Sequence, residues 1–160
     1  MAERLSSGPP VECPSCGVVH YANPKPCGGA LISDDGGRLL LVRRAHEPYD
    51  GCWDIPGGFC DLRELPRDAA VREAREETGL EIEPTGLVGM WLDDYPTTGD
   101  VCLNVYYAAR VTGGAERPEP GEVSELRWFA VGELPWDELA FPDHARTVLE
   151  TWRSGTDPAA

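Results

Sequence analysis

The stretch GGFCDLRELPRDAAVREAREETGL, residues 57–80, decides how this chain is read. A helix pattern runs from Pro66 to Thr78. Proline is favoured at the first helical position, Asp68 puts negative charge in the first turn, and Gly79 suits the C-terminal cap. At about 100° per residue, Glu73, Glu76 and Glu77 share one face, beside a narrow packing stripe of Ala70, Val71 and Ala74. Like charges three and four apart cost an isolated helix roughly 0.3 kcal/mol per pair, and Arg72, four residues before Glu76, offsets only part of that. A plain solvent-facing surface is the competing reading of the helix alone. A divalent cation would account for the crowding, because several oxygen ligands on a rigid face suit magnesium, with waters and phosphate oxygens completing its octahedron.

Outward from this helix, residues 44–65 form a long loop containing Gly, Pro and Trp, and loops of that length inside a compact domain are usually functional. Two strand-like runs precede it, Gly28–Ser33 and Arg38–Arg43, joined as a hairpin through the turn Asp34-Asp35-Gly36-Gly37. Three more strands are expected after the helix, at Leu87–Leu92, Val101–Arg110 and Glu125–Ala130. The Gly, Pro and Glu-rich segment Thr112–Glu122 reads as a mobile loop, and a last helix, Asp143–Arg153, sets Ala145, Val148, Leu149 and Trp152 at helical spacing. Mixed strands and helices imply an α/β or α+β class with the sheet in the middle. The expected organisation is a loose tail over residues 1–10, a Cys-containing knuckle-like segment over 11–26, one domain over 27–153 and a flexible tail over 154–160.

The 160 residues suit one domain with a single core. With 14 Lys+Arg against 28 Asp+Glu, the formal charge is −14. A field of that sign repels polyphosphate chains and anionic membranes, so neither a nucleic-acid polymer nor a membrane is expected as a partner. An anionic small substrate would need a cation supplied at the site. The longest apolar runs are strand-sized and the first ten residues are polar, which makes the cytoplasm the default location. In a reducing compartment the six cysteines, Cys13, Cys16, Cys27, Cys52, Cys60 and Cys102, are expected as thiols or metal ligands.

The spacing around the helix is specific. Gly58 is followed after five residues by Glu64, then after seven more by Arg72-Glu73, Ala74, Glu76-Glu77, Gly79 and apolar Leu80. This resembles the Nudix box at every fixed position, and Trp53-Asp54-Ile55-Pro56-Gly57-Gly58-Phe59 is similar to the usual lead into it. The resemblance covers about residues 28–152. It implies an α/β/α sandwich around a central mixed β-sheet and a Mg²⁺- or Mn²⁺-dependent hydrolase that cuts a diphosphate link. Carried over, Glu73, Glu76 and Glu77 would be metal ligands, Arg72 would hold Glu73, and Glu64 would brace the loop–helix corner or reach metal through water. Gly58 would let the backbone approach the metal. The proton acceptor in such enzymes is either the Glu73 equivalent or a glutamate on a later loop. Here the later candidates are Glu122, preferred for its glycine-flanked position, and Glu125.

The box does not fix the substrate. Pro96, sixteen residues after Leu80, resembles the ADP-ribose-hydrolysing pattern, and Tyr95 beside it is similar to the dinucleoside polyphosphate variant. A small nucleotide diphosphate is the expected partner, ADP-ribose or a nucleotide sugar first, with dinucleoside polyphosphates, NADH and nucleoside triphosphates as alternatives. A non-catalytic nucleotide sensor is the other class, although such relatives usually lose box carboxylates and this chain keeps them. Trp53, Trp91, Tyr95 and Tyr106 are aromatic candidates for stacking a base. The segment Cys13 to Pro24 looks like the second knuckle of a zinc ribbon that precedes some Nudix domains. Cys13 and Cys16 are its candidate zinc ligands, with His20 and Cys27 as irregularly spaced additions, and a knuckle packed as a plain turn is the other reading. A homodimer is left open.

Overall fold

The computed structural model describes residues 10–155, so the tails expected over residues 1–10 and 154–160 lie outside the described residues apart from Pro10, Ser154 and Gly155. A small antiparallel ribbon comes first, β1 (Val11–Glu12) with β2 (Val19–His20). The strands β3 (Lys25–Ser33), β4 (Leu39–Arg44), β5 (Trp53–Asp54) and β6 (Gly57–Phe59) follow, then the helix α1 (Pro66–Thr78). After it come β7 (Leu80–Asp94), β8 (Val101–Gly114), β9 (Val123–Phe129) and the helix α2 (Pro142–Ser154).

Among the described residues, β3 to β9 form one mixed sheet in the order β5-β4-β3-β8-β7, with β6 also against β3 and β9 against β4. The pair β3–β8 is parallel from Lys25↔Cys102 to Ser33↔Arg110, and the remaining pairs are antiparallel. The strands β3 and β4 are central, which explains their continuous apolar runs Ala30-Leu31-Ile32 and Leu39-Leu40-Leu41-Val42. Successive side chains of a strand point to opposite faces. Leu31, Leu39 and Leu41 accordingly pack with Ala145, Val148 and Leu149 of α2, whereas Ala30, Ile32 and Leu40 pack with Ala70 and Ala74 of α1. One helix on each face of a mixed sheet is the α/β/α architecture that the resemblance implied.

Small residues let α1 sit close to the sheet: its buried positions are Ala69, Ala70, Ala74 and Thr78. At Gly28 a Cβ would overlap the Pro66 carbonyl, so this glycine allows the start of α1 to touch β3. The helix ends at Gly79 in the left-handed conformation, φ 74°.

Several expected boundaries move. The expected hairpin closes only at Ser33↔Leu39; beyond it β3 turns to β6 and β8, and β4 turns to β5 and β9. The loop expected over 44–65 contains β5 and β6, which are too short to leave a periodic signal. Leu87–Leu92 is the end of a longer strand, because β7 follows β8 through three irregularities in register that break its alternation. The segment Thr112–Glu122, expected as a mobile loop, starts as strand, since β8 continues to Gly114, and the Ala115, Arg117 and Glu119 N–H groups then donate to the Gly79, Thr78 and Glu77 carbonyls at the end of α1. Ser154 closes α2 rather than opening a tail. No helix among the described residues is long and apolar enough to cross a membrane.

Leu41 is fully buried in the cluster that joins β4 to α2. Leu41→Ala is expected to lower the unfolding free energy by about 3 kcal/mol. Equilibrium denaturation in urea checks this, and a loss under 1 kcal/mol would contradict the assignment of that cluster as the core.

Candidate active site

The site starts from one guanidinium. Arg72 Nε donates to Glu64 Oε1 at 2.9 Å and Nη2 donates to Glu64 Oε2 at 2.8 Å, a bidentate pair. Nη1 donates to Glu73 Oε1 at 2.7 Å and to Glu76 Oε2 at 2.9 Å, and Nη2 also reaches the Phe59 carbonyl at 3.0 Å. Glu64 Oε2 in turn accepts the Asp61 N–H at 2.8 Å. The side chain therefore ties the loop 59–64 to the outer face of α1. The hydrogen bonds from Arg72 hold the Glu64 carboxyl below the usual carboxylate range.

One turn inward the charge balance reverses. Glu77 Oε2 accepts the Gly57 N–H at 3.0 Å, and Glu73 lies against Gly58. A Cβ at Gly58 would come within 2.5 Å of Glu73 Oε1, so only glycine lets the box loop run this close to the carboxylate. Burial pushes the Glu73 carboxyl up against the pull of Arg72. Burial pushes the Glu77 carboxyl well up, and the neighbouring Asp54 and Glu73 add to that. Asp54 is itself raised by burial, although Arg44 Nη1 donates to its Oδ2 at 3.0 Å.

These groups line one cleft of about 360 Å³ between the box loop, β3, β8 and the start of α2. Glu73, Glu77 and Asp54 line it, and so does Glu122 from the loop before β9. Glu122 is close enough to raise both Glu73 and Glu77 electrostatically. Its backbone carbonyl accepts the Ala45 N–H at 2.9 Å, which fixes that loop to the end of β4. Glu125 is elsewhere: it pairs with Arg43 and Arg127 on the sheet and does not line the cleft.

The other residues singled out in the sequence separate in the same way. Glu76 is about half exposed, tied to Arg72, and outside the cleft lining. Trp53 is 2% exposed in the core, edge-on to Phe129, so it has no face free for a base. Trp91 packs on Tyr106 and His144 rather than lining the cleft. Tyr106 lines it, but its hydroxyl is hydrogen-bonded to His144 Nε2 at 3.0 Å. Tyr95 lines the cleft beside Phe59 and Phe141, with ring centroids at 5.8 and 6.0 Å. Pro96 is exposed in the turn after Tyr95 and does not reach the cleft.

Asp54, His144 and Phe141 are cleft residues that sequence reasoning did not single out. Asp54 carried a signal, a carboxylate beside Trp53 in an apolar stretch. His144 and Phe141 carried none, because only the packing of α2 brings them to the cleft.

Among the described residues no three His, Cys, Asp or Glu side chains converge as a ready metal cage. What Glu73, Glu77 and Glu122 present is an all-oxygen set, short of positive charge, against a backbone bared at Gly57 and Gly58. That donor chemistry suits a hard divalent ion which keeps several waters.

The chain matches the family described as NUDIX domain over residues 24–151. It is 32% identical over 138 residues to a protein of Methanocaldococcus jannaschii named ADP-ribose pyrophosphatase, covering 84% of this chain and 78% of that protein. It is 30% identical over 123 residues to the NAD-capped RNA hydrolase NudC of Stutzerimonas stutzeri, covering 77% of this chain but 42% of that protein, less than half its length. A crystal structure of a MutT NUDIX hydrolase from Burkholderia pseudomallei has a TM-score of 0.71 at 34% identity, over 81% of this chain and 98% of that one. With the box loop, its helix and the mixed sheet in the same chain, the protein belongs to the Nudix family of hydrolases, enzymes that act on pyrophosphate bonds.

Proposed function

We propose that residues 27–153 form a Mg²⁺- or Mn²⁺-dependent hydrolase, acting in the cytoplasm, that cleaves the diphosphate of a small nucleoside diphosphate derivative, ADP-ribose or a nucleotide sugar. The observation that carries this reading is the pair of half-buried carboxylates, Glu73 and Glu77, which share one cleft with Glu122; Glu73 has only a share of the Arg72 guanidinium, and Glu77 forms no ion pair among the described residues. The likeness to a protein named ADP-ribose pyrophosphatase over 78% of that protein's length supports the substrate class.

Glu73 and Glu77 are the residues that would hold the metal, with Glu76 joining them by giving up its bond to Arg72. Bound there, divalent ions neutralise the diphosphate and make water more acidic. Arg72 orients Glu73 and opposes the upward push of burial on its carboxyl, and Glu64 keeps Arg72 in place. Glu122 accepts the proton of the attacking water, since it sits in the cleft on a separate loop and forms no ion pair among the described residues. Tyr95, Phe59 and Phe141 offer an aromatic wall on which a nucleobase packs. The acidic chain disfavours an RNA polymer as substrate, whatever the names of longer relatives.

The experiment is turnover by the purified chain with Mg²⁺ or Mn²⁺ on ADP-ribose, nucleotide sugars, dinucleoside polyphosphates, NADH and nucleoside triphosphates. ADP-ribose or a nucleotide sugar is expected to give the highest kcat/KM. Glu122→Gln should lower kcat by about 10²-fold with little change in KM; wild-type kcat would move the base elsewhere. Tyr95→Ala should raise KM several-fold with kcat nearly kept.

The pH dependence follows from Glu77. Its folded carboxyl titrates above the unfolded value, so without metal the native state holds a proton that the unfolded state has released. That contribution is present at low pH and is lost as pH rises through the folded value. In chelator, Glu77→Gln should therefore melt above wild type, and the gap should widen from pH 5 to pH 8. A gap that narrows over that range in calorimetry would contradict the burial of an uncompensated charge.

A further inference from the structure

Asp93, Tyr106 and His144 line the cleft, and none of them serves the metal face or the proton acceptor. Asp93 stands at the end of β7, Tyr106 in β8 and His144 in the first turn of α2. The Tyr106 ring lies directly on the backbone of β3, since a Cβ at Gly29 would come within 2.5 Å of it. The imidazole of His144 is tilted against that ring with centroids 5.5 Å apart. Trp91 packs on both rings and meets His144 edge-on at 6.4 Å. Aromatic packing from two strands thus holds the imidazole in one place.

One hydrogen bond decides where the imidazole proton sits. Tyr106 Oη and His144 Nε2 are 3.0 Å apart. Burial pushes the His144 imidazole down against the pull of Asp93, so the ring is neutral at neutral pH. Burial pushes the Tyr106 phenol well up, so it keeps its proton. A phenol is the better donor of the two and an imidazole nitrogen the better acceptor. Tyr106 therefore donates to Nε2, and the ring proton resides on Nδ1. Nδ1 has no partner among the described residues. No buried side-chain nitrogen or oxygen among the described residues lacks a partner, so this N–H is reachable from solvent. Asp93 Oδ1 accepts the Asp94 N–H at 2.9 Å, and Oδ2 is left unpaired and reachable in the same way. A neutral donor and an anionic acceptor thus belong to the lining of one cleft.

We propose that His144 and Asp93 form the subsite that reads sugar hydroxyls on the group beyond the diphosphate, with Tyr106 as the positioning residue that fixes the His144 tautomer. A hydroxyl both accepts and donates, so adjacent hydroxyls of a sugar can take the Nδ1–H and give their protons to the Asp93 carboxylate. A further phosphate in the same place has little proton to give at neutral pH and is repelled by Asp93. The subsite therefore favours a sugar over another phosphate, which separates nucleoside diphosphate sugars from nucleoside triphosphates. These groups make and break no covalent bond. The inference rests on the hydrolase reading for the diphosphate's place in the cleft, and it adds what selects the group attached to it.

The test uses the full chain in Mg²⁺ with two ligands that cannot be cut, the methylene-bridged analogues of ADP-ribose and of ADP, and measures both Kd values by titration calorimetry. Wild type is expected to bind the sugar-bearing analogue about tenfold more tightly, and His144→Phe and Asp93→Asn should each lower that ratio about fivefold. His144→Phe should weaken the sugar ligand alone, whereas Asp93→Asn should also tighten the ADP analogue. Heteronuclear NMR of the imidazole nitrogens, with the signal absent from His144→Phe taken as that of His144, should place the proton on Nδ1 in wild type. Tyr106→Phe should move that proton toward Nε2 and lower the ratio, a change that a merely packing role for Tyr106 would not produce. Ratios unchanged in His144→Phe and Asp93→Asn overturn the proposal, as does a wild-type proton on Nε2. If His144→Phe loses both ligands through misfolding, Asp93→Asn decides. Turnover of a nucleotide sugar with unchanged ratios sinks the subsite and keeps the hydrolase reading; failure of wild type to bind either analogue sinks both.

Discussion

The structure of this site depends on how one guanidinium is divided among three glutamates. Arg72 gives two bonds to Glu64, and one of its nitrogens serves both Glu73 and Glu76. The three carboxylates hold it protonated more firmly than a free arginine. The geometry lets a single positive charge lock the box loop onto α1. It also leaves that charge used up on the outer face of the helix. On the inner face Glu73 has only its share of that guanidinium, and Glu77 forms no ion pair among the described residues.

That imbalance links fold to function. A carboxylate buried without a partner is costly, and such groups take up a proton or a cation. The fold sustains the cost through the packing around it. Gly28 and the small residues of α1 bring the helix against β3, and Gly57 and Gly58 bring bare backbone against the carboxylates. Asp54, paired to Arg44 at the end of β5, adds further negative potential behind Glu77. The loop holding Glu122 is fastened to β4 by the Ala45 N–H and to the end of α1 by the Arg117 and Glu119 N–H groups, which donate to the Thr78 and Glu77 carbonyls, so it offers a carboxylate to the same cleft without being part of the helix.

Much of this was legible in the sequence because it is local. The helix from Pro66 to Thr78 announces itself by its proline start, its glycine stop and its small-residue stripe, and the spacing from Gly58 to Gly79 carries the family. The central strands were legible as apolar runs. What could not be read depends on long-range pairing. The parallel register of β3 with β8, separated by about seventy residues, is invisible to local periodicity. The splayed hairpin after Ser33 follows from that pairing, since β3 cannot serve β4 and β6 on one edge. Trp53 looked like a stacking ring because it sits in the box approach, yet β5 turns it into the core, whereas Phe141 reaches the cleft only through the docking of α2. Separating Glu122 from Glu125 also required the sheet, because β9 aims the second at Arg43 and Arg127.

The central claim is that the inner face of α1 is short of positive charge and takes up divalent cations. Titration of Mn²⁺ into the protein at pH 7.5, following the free ion by electron paramagnetic resonance, measures this directly. Saturable binding is expected for wild type, with the signal of free Mn²⁺ suppressed until the sites fill, and that binding should vanish when Glu73 and Glu77 are both changed to Gln. Equal Mn²⁺ uptake by the double variant, or none by the wild-type chain, would contradict the account.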